Sequence, residues 1–236
     1  MPVTPEQIVE YLRSEAGRPM RGDELAQSLE VPEAETEEFK NLLAELEQQG
    51  VLYQTKQRYA APSNLNLVVG TLHIIKSGAG FVVPDNREGD LYIPADSLRT
   101  AVDGDRVIAR LEKEKKGGKR EGTVIRILNR ARETVVGVYH PSKNFGFVVP
   151  EASLKLTSDI FIAPGDDGGA TEGDVVVVRI TSWGEKHRGP VGEVSKVIGK
   201  HGAPGVDILA VLYGHELPVE FPADVEEEAE ALRARG

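Results

Sequence analysis

Between Lys143 and Pro150 the chain reads Lys143-Asn144-Phe145-Gly146-Phe147-Val148-Val149-Pro150, a cation and two phenyl rings at alternate positions. Side chains alternate across a strand, so this spacing predicts Lys143, Phe145 and Phe147 on one face and Val148 on the other. A core strand has little use for a lysine or a glycine beside its large rings. A surface that stacks unpaired bases and holds phosphates needs rings, positive charge and close backbone approach. The competing reading is a half-buried strand whose phenylalanines fill a barrel, and one such motif does not separate the two.

The motif occurs twice. Lys76-Ser77-Gly78-Ala79-Gly80-Phe81-Val82-Val83-Pro84 is a degraded copy, and the repeat extends well beyond it. Gly70, His73 and Lys76 match Gly137, His140 and Lys143 at an offset of 67. Asp90-Leu91-Tyr92-Ile93 matches Asp159-Ile160-Phe161-Ile162 at an offset of 69, as does Gly104-Asp105 with Gly173-Asp174. A period of this size belongs to a whole folded unit, and the drift in offset marks loop insertions. Each unit reads as five strands, at 67–78, 79–84, 90–94, 105–112 and 121–129, then at 134–141, 145–150, 159–163, 174–182 and 190–199. Short strands separated by Gly, Pro, Asn and Asp clusters predict two five-stranded OB-type β-barrels, at 67–130 and 134–200.

Lys143 to Val148 resembles the first RNA-binding motif of cold-shock domains, and Asp159-Ile160-Phe161-Ile162 resembles the second. The resemblance implies that the aromatics of both motifs lie side by side on the barrel surface. Carried over, it nominates Lys143, Phe145, Phe147 and Phe161 in the second barrel and Lys76, Phe81 and Tyr92 in the first. In the first copy Gly78-Ala79-Gly80 stands where Phe145-Gly146 stands, so one ring is missing. His73 and His140 occupy matching places and are read as base-stacking or strand-pairing residues.

The net charge of −10 argues against nucleic acid until its distribution is examined. It is −6 over residues 1–62, +3 over 63–130, −1 over 131–200 and −6 over 201–236, so the acidity lies outside the barrels. Stacking then has to carry more of the affinity than phosphate attraction, and non-specific duplex binding is not expected. No cysteine is present, which excludes disulfides and thiolate zinc sites and is compatible with a reducing cytoplasm. No apolar run approaches the roughly 18 residues of a membrane span, and the first residues have no signal-peptide pattern.

The elements ahead of the barrels are helical. Thr4 as N-cap and Pro5 start a helix over 4–16, a second covers 23–29, and a third carries Phe39, Leu42, Leu43 and Leu46 as far as Gly50. With a hairpin around Thr55-Lys56-Gln57 they predict a winged-helix domain at 1–62. Glu37, Glu38, Glu45 and Glu47 on the third helix would be repelled by phosphates in a major groove, so the domain is read as docking on protein; Lys56 and Arg58 could still touch RNA. Residues 61–66 read as a linker, 111–121 as a basic hairpin tip, 165–173 as a loop, and Trp183 as a packing residue or a base stacker. In 203–236, Asp207 is expected to cap a short helix bearing Ile208, Leu209, Val211 and Leu212, and 222–232 to form an acidic helix, neither with a barrel to pack on.

In this order of parts the whole chain resembles the amino-terminal half of the bacterial ribonuclease R family, of the exoribonuclease II type. The fold class expected is α+β multidomain: a winged helix-turn-helix domain, two OB-fold barrels of the cold-shock type and a short helical C-terminal segment. The resemblance implies a 3′-to-5′ exoribonuclease whose barrels guide single-stranded RNA to a catalytic domain, expected to begin after residue 236. It also implies Mg²⁺ held there by an aspartate cluster. Past Gly202 only Asp207 and Asp224 occur, so neither catalytic residues nor a cofactor are expected in this chain. The expected partners are single-stranded RNA and, through the winged helix, the catalytic domain or another protein. The chain is expected to be a cytoplasmic monomer without membrane contact. The alternative is a stand-alone RNA chaperone or ribosome-associated module.

Overall fold

Thr4 opens the first helix by a reciprocal cap: its hydroxyl accepts from the Gln7 backbone at 3.4 Å, and the Gln7 side chain accepts from the Thr4 N–H at 2.9 Å. The computed structural model describes residues 3–86, 88–115, 119–151, 156, 158–184, 188–215, 217, 219 and 233. Helix α1 (Pro5–Glu10) runs into a π-helical turn, Tyr11–Glu15, and is followed by α2 (Gly22–Ser28) and α3 (Thr36–Gln48). Ile8, Leu12, Leu25, Phe39, Leu43 and Leu46 close on one another as the helical spacing requires. Strands β1 (Tyr53–Thr55) and β2 (Arg58–Ala60) form a hairpin, with Lys56 and Gln57 at φ of 46° and 61° in its turn. Arg58 is held by Glu24 at 3.3 Å.

Two expectations about this part need correction. Residues 61–66 are not a free linker: Pro62–Leu65 is a 3₁₀ turn, Ala61 is buried, and Asn64 donates to the Leu12 carbonyl at 2.8 Å. Glu47 is not simply a solvent-facing carboxylate, because it pairs with Arg126 of the first barrel. Residues 1–131 accordingly form one compact unit and 132–236 a second.

The first barrel contains β3 (Leu67–Ile74), β4 (Gly80–Pro84), β5 (Leu91–Ile93), β6 (Arg106–Lys115) and β7 (Lys119–Asn129), closed in the order β3-β4-β5-β7-β6. The second contains β8 (Thr134–Pro141), β9 (Gly146–Pro150), β10 (Ile160–Ile162), β11 (Asp174–Ser182) and β12 (Val191–Lys200), closed in the equivalent order. In each, the third strand pairs parallel with the fifth, β5 with β7 and β10 with β12, and every other pair is antiparallel. That is OB topology. Leu72, Val82, Leu91 and Ile93 fill the first barrel, and Val135, Val148, Ile160, Ile162 and Val176 the second. The basic 111–121 stretch extends the strands beyond a simple tip, with Lys113 opposite Glu121 and Glu114 opposite Arg120. Trp183 packs against the second core.

A duplicated brace fixes both barrels. Asp105 is fully buried and accepts from the Val102 and Ala131 N–H groups at 2.9 Å and from Arg130 at 2.9 Å. At the matching position Asp174 accepts from the Thr171 N–H at 2.7 Å and pairs with Lys200 at 2.8 Å. A buried carboxylate is tolerated because donors and a cation satisfy it.

Helix α4 (Val206–Gly214) overturns the expectation that the C-terminal helix lacks a barrel to pack on. Val206 and Ala210 are buried against Val136, Val175 and Val177, on the outer side of β8 and β11, while Ile208 and Val211 stay exposed. Gly205, not Asp207, is its N-cap. The expected acidic helix at 222–232 lies outside the described residues.

Candidate nucleic-acid interface

Strand register builds the site. Phe147 on β9 lies opposite His140 on β8 and opposite Phe161 on β10, so the three form one row across the second barrel. Neighbouring strands are only about 4.8 Å apart, and side chains in the same pleat phase must meet. His140 and Phe147 stack with centroids 5.2 Å apart and planes at 23°. Phe145, just before β9, stacks on Phe161 at 5.4 Å and 28°. Phe145 is 42% and Phe161 41% exposed, whereas Val148 in the opposite phase is wholly buried. The barrel-filling reading of these two phenylalanines is therefore excluded.

Gly146 makes the arrangement possible. A Cβ there would stand 2.4 Å from the ring of Tyr139, which is tucked beneath the strand at 4% exposure. Burial, and secondarily the Asp167 carboxylate, push the Tyr139 hydroxyl above its ordinary pKa. The Ser142 N–H donates to the Phe145 carbonyl at 2.7 Å, closing the turn that carries exposed Lys143. His140 Nδ1 lies 2.7 Å from Glu172 Oε1, which orients the imidazole over Phe147.

The first barrel repeats the row. His73, Phe81 and Tyr92 are register partners across β3, β4 and β5, and the Phe81 and Tyr92 rings meet edge-on at 5.4 Å and 60°. In place of Phe145 it has Ala79, buried at 5% exposure. Lys76 is exposed on the turn before β4.

Several arginines of the barrels are ion-paired. Arg106, Arg120, Arg126 and Arg179 are engaged with Asp85, Glu88, Glu47 and Glu193 respectively. Lys76 and Lys143 form no ion pair among the described residues.

An open groove of about 480 Å³ adjoins the Phe145 ring. Tyr139, Ser142, Lys143, Asn144 and Phe145 line it from the β8–β9 turn, and Ala163, Pro164, Gly165, Asp167 and Ala170 from the loop after β10. The sequence reading took 165–173 only as a glycine-rich connection and missed Asp167. Nothing in its local pattern shows that this loop folds back toward Lys143. Among the described residues no three His, Asp or Glu side chains gather where they could hold a metal ion. No described helix is long and apolar enough to cross a membrane.

Comparison with known proteins agrees with this geometry. The Ribonuclease B OB domain family matches residues 70–127, and the Cold shock domain family matches 147–222. Ribonuclease R of Vibrio cholerae is 34% identical over 232 residues, covering 96% of this chain. Ribonuclease R of Escherichia coli is 34% identical over 230 residues, covering 97%. Over nearly its whole length the chain is similar to part of ribonuclease R. It spans 28% of the length of each of these two relatives. The fold of a Mycoplasma genitalium RNase R, solved in complex with ribose methylated single-stranded RNA, matches 70% of this chain and 26% of that one, with a TM-score of 0.55 at 20% identity. The ribonuclease B match spans the whole row His73, Phe81 and Tyr92. The cold-shock match begins at Phe147, so Lys143 and Phe145 lie just ahead of it.

Proposed function

We propose that this chain binds single-stranded RNA on the outer aromatic rows of its two barrels and guides it to the catalytic domain of a ribonuclease R-type 3′-to-5′ exoribonuclease. The observation that carries the reading is the repetition of one row, His140–Phe147–Phe161 and His73–Phe81–Tyr92, at the same register in both barrels. Exposed rings offer faces to unpaired bases, and Lys143 and Lys76 supply charge for phosphates. Relatives named ribonuclease R and a fold neighbour solved with single-stranded RNA support it.

Residues 1–62 act in this reading as a winged-helix domain that docks on protein and does not read duplex DNA. The engagement of Glu47 with Arg126 supports that role, since it commits the end of α3 to the barrel. The remaining units are 67–130, 134–200 and 203–236, and the chain works as a cytoplasmic monomer. Mg²⁺ serves the catalytic domain alone.

The test is the triple variant Phe145→Ala, Phe147→Ala, Phe161→Ala, titrated with labelled single-stranded RNA. A marked loss of affinity with the barrel still folded supports the assignment, and unchanged affinity removes it. The chain alone should leave RNA intact with Mg²⁺ present; exonuclease activity of its own would contradict the reading.

A further inference from the structure

We propose that the groove beside Phe145 is a base-reading subsite that selects guanine through Asp167. The inference rests on the RNA-binding reading above and adds a sequence preference to it.

The groove is electrically polarised. Lys143 lines it from the β8–β9 turn and Asp167 from the loop after β10, with Asp166 exposed beside Asp167. A nucleotide entering this space directs its phosphate toward the lysine, because the acidic wall repels phosphate. Its base then lies against the Phe145 ring with one edge toward Asp167. Stacking on a ring accepts any base, so identity is decided at that edge.

The carboxylate is held ready. Asp167 Oδ1 accepts from the Gly169 N–H at 2.9 Å, and the Asp167 carbonyl accepts from Ala170 at 2.9 Å. One residue earlier, the Asp166 carbonyl accepts from Val194 at 2.7 Å, pinning the loop to β12. Oδ2 accepts no hydrogen bond among the described residues, and each oxygen keeps lone-pair capacity. An ionised carboxylate only accepts. Guanine presents two adjacent donors, N1–H and the 2-amino group, which suit two carboxylate oxygens. Adenine and cytosine offer one amino group beside a ring acceptor, and uracil one N–H between two carbonyls, so each turns an acceptor toward the carboxylate. A polar site built for one edge rejects the others strongly.

The first barrel is not organised this way. There the loop after β5 approaches the turn, a Cβ on Gly78 would lie 3.8 Å from that of Ala95, and Ala79 replaces the ring. The preference therefore belongs to the second barrel.

The experiment compares binding of the full chain to octauridylate and to the same octamer with one internal guanosine, by fluorescence anisotropy. The guanosine octamer should bind about tenfold tighter, and Asp167→Asn should bring the ratio to about one. Equal affinity for the wild-type chain, or a ratio preserved in D167N, overturns the proposal. Should D167N fail to fold, octamers with one adenosine or cytidine decide it with the wild-type chain: both must bind more weakly than the guanosine octamer, and equality overturns it. Binding of every octamer without discrimination sinks the guanine subsite alone, whereas binding of none sinks the RNA reading as well.

Discussion

Phe145 and Phe161 come from different strands of the second barrel, yet their rings lie 5.4 Å apart with 28° between planes, each about two-fifths exposed. Two large apolar rings held together in water contribute less to stability than the same rings buried would. The pair makes sense as a platform whose remaining faces are open to a flat, unpaired ligand.

Truncating either ring should therefore separate binding from stability. Phe145→Ala or Phe161→Ala is expected to weaken single-stranded RNA binding by about 1–3 kcal/mol for each base that loses its platform. Because much of each side chain is already exposed, the fold should lose less than the roughly 3–5 kcal/mol typical of a buried Phe→Ala change. Anisotropy titration and urea unfolding of the same samples check both halves.

The ring missing from the first barrel is not an empty seat. Ala79 is buried at 5% exposure, its carbonyl accepts from the Ile75 N–H at 2.8 Å, and a Cβ on the following Gly80 would stand 2.8 Å from Leu72 Cδ1. Ala79→Phe should overpack this turn and cost about 1–3 kcal/mol. A lower urea midpoint without improved RNA affinity is expected; a gain in affinity at unchanged stability would show that the turn opens readily.

The common face of Lys143, Phe145 and Phe147 was legible in the sequence because side chains alternate along a strand. The place of Phe161 beside them, and of Phe81 and Tyr92 in the first barrel, followed instead from the cold-shock resemblance, and the repeat matched His73 to His140. The packing of α4 was misjudged for a different reason. Ile208, Leu209, Val211 and Leu212 make the apolar run in its sequence, but the residues the helix buries against β8 and β11 are Val206 and Ala210. The signal was in the barrel: Val175 to Val178 are all buried, and an unbroken apolar strand announces cover on both faces. The Asp105 and Asp174 braces were visible as repeated Gly-Asp pairs, but their partners Arg130 and Lys200 stand about 25 residues further along the chain, a distance no local pattern spans.

The Asp174 brace gives the second barrel an acid sensitivity of known sign. The hydrogen bond from Lys200 is the largest influence on its carboxyl; with those from Thr171 it outweighs desolvation and holds the group below the ordinary carboxylate range. A depressed folded value contributes stability above the unfolded carboxyl pKa, and that stability is lost as pH falls through the folded value. Unfolding midpoints of Asp174→Asn and the parent should therefore differ at neutral pH and converge below about pH 4. A constant difference across that range would show that the brace does not titrate with folding.

The contact between α3 and the first barrel should depend more on Gly50 than on the ion pair beside it. Glu47 and Arg126 are 22% and 39% exposed, and a solvent-accessible pair of this kind contributes about 0.2–1 kcal/mol. Gly50 has φ of +76°, and a Cβ there would lie 2.3 Å from Leu128 Cδ1 and 3.3 Å from Val69 Cγ1. Gly50→Ala thus combines left-handed backbone strain of about 1–2 kcal/mol with a steric conflict that Leu128 must move to relieve. Urea unfolding should show Gly50→Ala more destabilised than Glu47→Ala. If the contact couples residues 1–62 to the barrel, the Gly50 variant should also split one transition into two. A larger loss for Glu47→Ala would instead assign the coupling to charge.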